Sequence, residues 1–178
     1  MSLIQTDRLE LRELNFDDAE FILELLNEDG FIRYIGDKGV RDMAAARDYL
    51  AQGPMDSYTR NAFGLYAVRL RQGHQMKDGT PIGICGLVKR VGLSDPDLGF
   101  AFLSRFWSKG YALESAAAVL CHAREVLGLH RVVAITSPDN TQSIALLHKT
   151  GFKFERKVRL VDHSPELNLF AHLSAGRA

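Results

Sequence analysis

LGFAFLSRFWSKGYALE, from Leu98 to Glu114, is the stretch that decides the fold. Leu98 to Leu103 is a continuous apolar run, the pattern of a strand buried on both faces. Trp107, Ser108, Lys109 and Gly110 then read as a turn. After it Leu113, Ala116, Ala117, Leu120, Ala123 and Leu127 recur at helical spacing, and Gly128 supplies the stop. The order is buried strand, small-residue turn, helix N-terminus. Backbone N–H groups in a first helical turn have no partner within the helix. Gly110 and Ala112 keep bulk away from those amides, so they can close on an anion, and the helix dipole favours one there. Lys109 adds a positive charge. The plain alternative is an ordinary turn and cap. The pattern is neither G-x-x-x-x-G-K-[ST] nor G-x-G-x-x-G, so the usual nucleotide-loop signatures are absent.

Outward from this core, Arg131 to Thr136 reads as a strand, giving a strand–helix–strand unit whose two strands are parallel. Asn140 caps a short helix, Thr141 to Thr150, closed by Gly151. Late strands follow near Phe152 to Val161 and Leu167 to Leu173, the second with Leu167, Leu169, Ala171 and Leu173 on one face. Toward the N-terminus, Arg8 to Leu14 alternates as a half-buried strand, with Arg8, Glu10 and Arg12 as its solvated face. Asn15 opens a helix with Asp17 and Asp18 in its first turn, striped by Ala19, Ile22, Leu23 and Leu26 and ended by Gly30. A weaker helix runs near Asp42 to Ala51. Phe63 to Leu70 and Ile82 to Val88 form a hairpin around a polar loop, Arg71 to Pro81. The expected fold is α/β (α+β): one mixed, mostly antiparallel sheet of six to seven strands with about four helices.

The 178 residues fit one domain, spanning 1–178. Hydrophobic residues make up 46% and charged ones 25%, which excludes disordered, collagenous and disulfide-scaffold classes. Lys plus Arg and Asp plus Glu are both 22, so broad adhesion to nucleic acid is not expected. Cys85 and Cys121 have no metal-ligand spacing and read as two small core residues kept reduced, with no metal site. MSLIQTDRLE has no apolar signal region, and no apolar run approaches the ~18 residues of a membrane span. The expected setting is the cytoplasm, without membrane or nucleic-acid partners, as a monomer or homodimer.

The turn resembles the pyrophosphate-binding motif of the GNAT acetyltransferases, [QR]-x-x-G-x-[GA]. Gly110 and Ala112 are its small pair, and Trp107 stands where Gln or Arg is usual. Within that superfamily the chain looks most like the ribosomal-protein N-terminal acetyltransferase (RimJ/RimL-type) branch, which often has an aromatic there. TDRLELREL, IGICGLVKR, DLGFAF, GYALESAAAVL and PDNTQSIALLHKTGF match its segments in order. The resemblance implies acetyl transfer from acetyl-CoA to a primary amine, most simply a peptide N-terminal α-amine, with small amines or antibiotics as the other acceptor class. The expected cofactor contacts are Ser108, Lys109, Gly110, Tyr111 and Ala112 at the pyrophosphate and the strand end at Phe102 and Leu103 at the pantetheine. Trp107, Asn140 and Ser143 complete the set. A strand amide near Phe102 would face the thioester oxygen, a donor worth about 3–4 kcal/mol in comparable sites.

Many superfamily members carry a Tyr acid at the slot that Leu147 fills here. Ser143, one helical turn earlier, is the candidate donor, or else only part of the helix cap. Asp97 is the candidate general base, or else a turn aspartate after Pro96. Trp107 either packs on the sheet or covers the coenzyme. Asn140 has a cap role and an implied pantetheine contact. His74, His122 and His148 are assigned no catalysis. Leu147 in the Tyr slot also admits a CoA-binding sensor without chemistry. A nucleotide binder unrelated to CoA is a third reading.

Overall fold

The alternating segments assemble in the computed structural model into one eight-stranded sheet, ordered β1-β2-β3-β4-β5-β6-β8-β7. The structure describes residues 3–71, 79 and 81–174. The strands are β1 (Ile4–Gln5), β2 (Leu9–Glu13), β3 (Leu65–Leu70), β4 (Pro81–Val88), β5 (Asp97–Phe102), β6 (Arg131–Thr136), β7 (Lys153–Val158) and β8 (Leu167–Leu173). All neighbours are antiparallel except β5 and β6. The sheet is therefore mixed and mostly antiparallel, as expected, with more strands than the six or seven anticipated. β1 is too short to show a period. Most of the loop from Arg71 to Pro81, with His74, lies outside the described residues.

The helices are α1 (Ala19–Leu26), α2 (Asp29–Tyr34), α3 (Met43–Leu50), α4 (Asp56–Asn61), α5 (Tyr111–Glu125) and α6 (Thr141–Lys149). Asn15 and Asp18 form a reciprocal cap ahead of α1, and Asp42 caps α3 by accepting from Ala45 N–H at 2.8 Å. The first helix ends before Gly30. Asn27 turns its amide onto Leu23 O and Val40 O, which stops α1 and lets α2 restart around Gly30.

Strand alternation divides the apolar residues between the two faces of the sheet. Leu9, Leu11, Val68, Cys85 and Leu87 pack with Ala116, Val119, Leu120 and Ala123 of α5 on one face. Ala67 and Ile84 pack with Ile22, Leu25 and Leu50 of α1 and α3 on the other. Two sequence expectations shift by a residue or two. Ala117 is exposed and Val119 takes its place in the α5 stripe. Cys121 is exposed and only Cys85 is core, with burial pushing the Cys85 thiol up to about 12.

Arg8, Glu10 and Arg12 are half-buried and ion-paired, which corrects their reading as a simply solvated face. Each has a carboxylate or guanidinium partner: Glu114 for Arg8, Arg69 for Glu10 and Asp18 for Arg12. Glu114 and Arg69 come from distant segments, so strand periodicity does not reveal them.

Candidate active site

The turn before α5 is held in an unusual backbone. Ser108 has φ 60° and Gly110 φ 82°, so two residues in three are left-handed. Left-handed residues in such a turn are the backbone pattern from which anion-binding nests are built. Gly110 is the N-cap of α5 and supplies no side-chain cap. Among the described residues, no protein acceptor faces the amides of Ser108, Lys109, Gly110, Tyr111 or Ala112. Arg8 braces the turn from behind. Its Nη1 donates to Lys109 O at 3.0 Å, its Nε pairs with Glu114 at 2.7 Å, and its guanidinium lies 4.8 Å from the Tyr111 ring centroid. Burial would raise the Glu114 carboxyl, but bonds from Thr6 and Arg8 outweigh it and hold the group below its ordinary range. The acidic residue in this first turn is thus already neutralised by a cation.

Trp107 has a structural position that sequence left open. Its Nε1 donates to Phe102 O at 2.7 Å. Its ring lies so close to α2 that a Cβ on Gly30 would come within 2.5 Å of it. It remains 40% exposed and lines the cavity described next. Packing and cavity lining are therefore combined in one side chain.

The second element is a gap in the sheet. β5 and β6 pair at Asp97 and Val133, where Val133 N–H reaches Pro96 O at 2.9 Å. Two residues on, Ile135 N–H goes to Asp97 Oδ1 at 3.2 Å, a side chain in place of a ladder carbonyl. Beyond that point the strands carry no further pairing. On the other edge of β5, Leu103 N–H donates to Ile82 O at 3.1 Å. Antiparallel ladders alternate, so Phe100 and Phe102 direct their N–H groups into the gap with β6. From β6, Thr136 borders the same cavity, and its hydroxyl is buried with no hydrogen-bond partner among the described residues. Gly99, Phe100 and Ala101 are only half-buried, against the expectation of a strand covered on both faces. The open space beside them is the cavity.

Asp97 lies at the root of the gap and is 1% exposed. Burial pushes its carboxyl up to about 6, against the opposing pull of Arg90 and the Ile135 amide. Across the gap, Asn140 Oδ1 accepts from Ser143 N–H at 3.1 Å and so performs the cap. Ser143 contributes only its amide to that cap. Its hydroxyl makes no bond within the described residues and lines the cavity, as Asn140 does. Leu147 is fully buried.

All these groups border one cavity of about 910 Å³. It brings together Asp97, Phe102, Trp107, Ser108, Gly110, Tyr111, Ala112, Asn140 and Ser143, nine residues picked from sequence. Two others fall outside its lining. Leu103 is fully buried against the α1–α3 cluster, with its N–H bonded to Ile82 O and its carbonyl to Phe106 N–H, which corrects its placement as a cofactor contact. The Lys109 side chain turns away onto the Phe106 ring, leaving only its amide in the turn. Sequence reasoning missed Thr136 and the wall opposite the gap, where Tyr34, Lys38 and Tyr49 stand. Burial raises the Tyr49 phenol. No local pattern signals these residues, because α2 and α3 meet the cavity only through the packing of separate elements. Among the described residues, no group of three or more His, Cys, Asp or Glu is placed to hold a metal ion, and no helix is long and apolar enough to cross a membrane.

The sequence profile of the acetyltransferase (GNAT) domain matches residues 8–153. The uncharacterized N-acetyltransferase YoaA of Bacillus subtilis (strain 168) is 29% identical over 164 residues, covering 88% of this chain and 86% of that protein. The crystal structure of an acetyltransferase from Agrobacterium tumefaciens str. C58 superposes with TM-score 0.79 at 22% identity, covering 96% of this chain and 94% of that one. RimL, a ribosomal L7/L12 α-N-protein acetyltransferase solved in complex with coenzyme A, superposes with TM-score 0.81 at 15% identity, covering 97% and 98%.

Proposed function

Because the chain belongs to the GNAT acetyltransferase family and is an N-acetyltransferase, we propose that it moves the acetyl group of acetyl-CoA to the α-amine of a protein or peptide N-terminus. The observation that carries this is the row of unpartnered amides at the start of α5, bordering the same cavity as the open edge of β5. The residues suit acetyl-CoA. Converging amides at a helix N-terminus match a diphosphate. A free strand edge matches an arm that carries peptide-like amides.

Acetyl-CoA, when bound, supplies an activated acetyl thioester. The amides of Ser108, Lys109, Gly110, Tyr111 and Ala112 would hold its diphosphate. The Phe100 and Phe102 edge would hold the pantetheine arm, with Trp107 and Asn140 Nδ2 bordering it. The Phe102 N–H is the proposed donor to the thioester oxygen, worth about 3–4 kcal/mol as a preorganised group. Alignment of amine and thioester supplies much of the remaining acceleration. Asp97 would take the ammonium proton through a water, and the Ser143 hydroxyl would donate a hydrogen bond to the departing sulfur and orient a water that protonates it.

The α-amine acceptor follows the resemblance to the RimJ/RimL-type branch, and RimL itself is an α-N-protein acetyltransferase. Mass spectrometry after incubation with acetyl-CoA, a peptide mixture and small amines tests it. Acetylated α-amines are expected; acetylation of small amines alone overturns the acceptor assignment.

Ser143→Ala should lower kcat by about 10–100-fold. An unchanged kcat removes the hydroxyl from the mechanism. For Asp97 the sign is set by its role: a base works only when ionised, and its carboxyl titrates at about 6. kcat/KM therefore falls as pH drops through about 6, steepening the loss already imposed by protonation of the acceptor amine. Asp97→Asn should be slower and lack that extra limb. A limb that survives in the variant belongs to another group.

A further inference from the structure

We propose that the acceptor carries an anionic group close to its amine, a carboxylate or phosphate, and that Lys38 is the residue that recognises it, with Arg90 beside it. This rests on the transferase reading above and narrows its substrate.

Lys38 is presented by the segment that joins α2 to α3, between two left-handed glycines, Gly36 at φ 108° and Gly39 at φ 68°. That segment is braced. Asp37 accepts from Gly39 N–H at 2.8 Å and pairs with Arg41 at 2.5 Å. Arg41 reaches Asn27 Oδ1 at 2.9 Å, and Asn27 in turn holds Val40 O at 2.8 Å and Leu23 O at 2.7 Å. The loop is thus clamped to the end of α1 by its polar side chains, with one exception. Lys38 makes no hydrogen bond or ion pair among the described residues, and it lines the cavity.

The other charges at this end do not neutralise it. Asp37, its sequence neighbour, is engaged by Arg41. Asp56 borders the cavity but pairs with Arg60. Lys89 donates to Ser94 O at 2.7 Å. Arg90 also borders the cavity, with its Nε on Asp97 and its two terminal nitrogens without an acceptor among the described residues. Lys38 is exposed at the cavity; partial burial lowers its pKa first, and the field of Arg90 lowers it further. Lys38 and the half-used Arg90 guanidinium, with Lys149 also on the cavity lining, make a concave surface complementary to an anion. It repels a polyamine. The same cavity holds Asp97 and Ser143, so an anion fixed at Lys38 orients the amine attached to it toward the gap between β5 and β6.

The test is CoA-thiol release with the full-length protein, acetyl-CoA and acceptors matched in all but the anion. One arm compares a free amino acid with its amide. A second compares a peptide with glutamate beside the N-terminal residue against its glutamine counterpart. A third compares phosphoethanolamine with ethanolamine. The arms separate an α-carboxylate, a side-chain carboxylate and a phosphate as the source of the charge. In at least one arm the anionic member should be preferred by about tenfold or more in kcat/KM, the scale of one charge-assisted hydrogen bond. Lys38→Gln should bring that preference to near one, chiefly by raising KM for the anionic member, with acetyl-CoA affinity and thermal midpoint unchanged. Lys38→Glu should favour the neutral member. Equal rates for both members of every pair, or a preference that survives in Lys38→Gln, overturns the proposal and leaves the transferase reading standing. No thiol release with any amine, while acetyl-CoA still binds, overturns the transferase reading and the proposal with it.

Discussion

Gly110→Asp is expected to abolish acetyl-CoA binding, by at least about 100-fold, and to leave a folded protein. Three effects act together. Gly110 has φ 82°, where any L side chain adds strain, although aspartate tolerates that region better than most. A Cβ there meets Arg8 Nη2 at 3.2 Å, the movable end of a flexible side chain, so the fold can yield. The new carboxylate then sits among amides arranged for an anion and repels the diphosphate proposed for them. At about 4 Å that repulsion is of order 1–4 kcal/mol per charge pair near a protein surface. It also competes with Glu114 for Arg8, which braces the turn. Gly110→Ala is the control. It carries the backbone strain, about 1 kcal/mol, without the charge, and should lose far less affinity. Calorimetric titration with acetyl-CoA reads the affinity and circular dichroism reads the fold. Binding of Gly110→Asp at the parent strength would mean that the coenzyme lies elsewhere.

Arg12→Ala should cost about 3–5 kcal/mol of folding stability, the second large effect. Asp18 is 2% exposed and receives both terminal nitrogens of Arg12 at 2.7 Å, plus the Asn15 N–H at 2.9 Å. Removing the guanidinium strands a buried carboxylate where β2 hands over to α1. Urea unfolding should show a midpoint lower by about 2 M, given the usual slope for a domain of this size. The double variant Arg12→Ala/Asp18→Ala should be less destabilised than the sum of the two singles, because it leaves no lone charge. A loss below about 1 kcal/mol in Arg12→Ala would show that water reaches Asp18. Neither residue borders the cavity, so the surviving folded fraction should keep its acetyl-CoA affinity.

The difference between these two sites explains what could be read locally. The turn at residues 107–112 is legible because its parts are contiguous: a strand, two small residues and a helix start. The cap by Asn140 is legible for the same reason, since donor and acceptor are three residues apart. Arg12 shows the opposite case. Its alternation with Leu11 states only that it points away from the main core. Whether that other side holds water or a carboxylate depends on where Asp18 and helix α1 come to rest. Arg8 and Glu114 are far apart in sequence and meet because α5 crosses the first strands. Leu103 illustrates a subtler limit. Its place at the strand end suggested an open amide, but ladder parity gives that amide to Ile82 and frees those of Phe100 and Phe102 instead.

By itself, then, the sequence determined the order of elements, the helix caps and the bend that opens α5, since each is fixed by hydrogen bonds and periodicity within a few residues. Only the tertiary structure decided where β5 and β6 separate, which carboxylates are neutralised, and that Thr136, Lys38 and Arg90 face one cavity. These depend on contacts between segments far apart in the chain, and local spacing carries no information about which distant charge fills a given space.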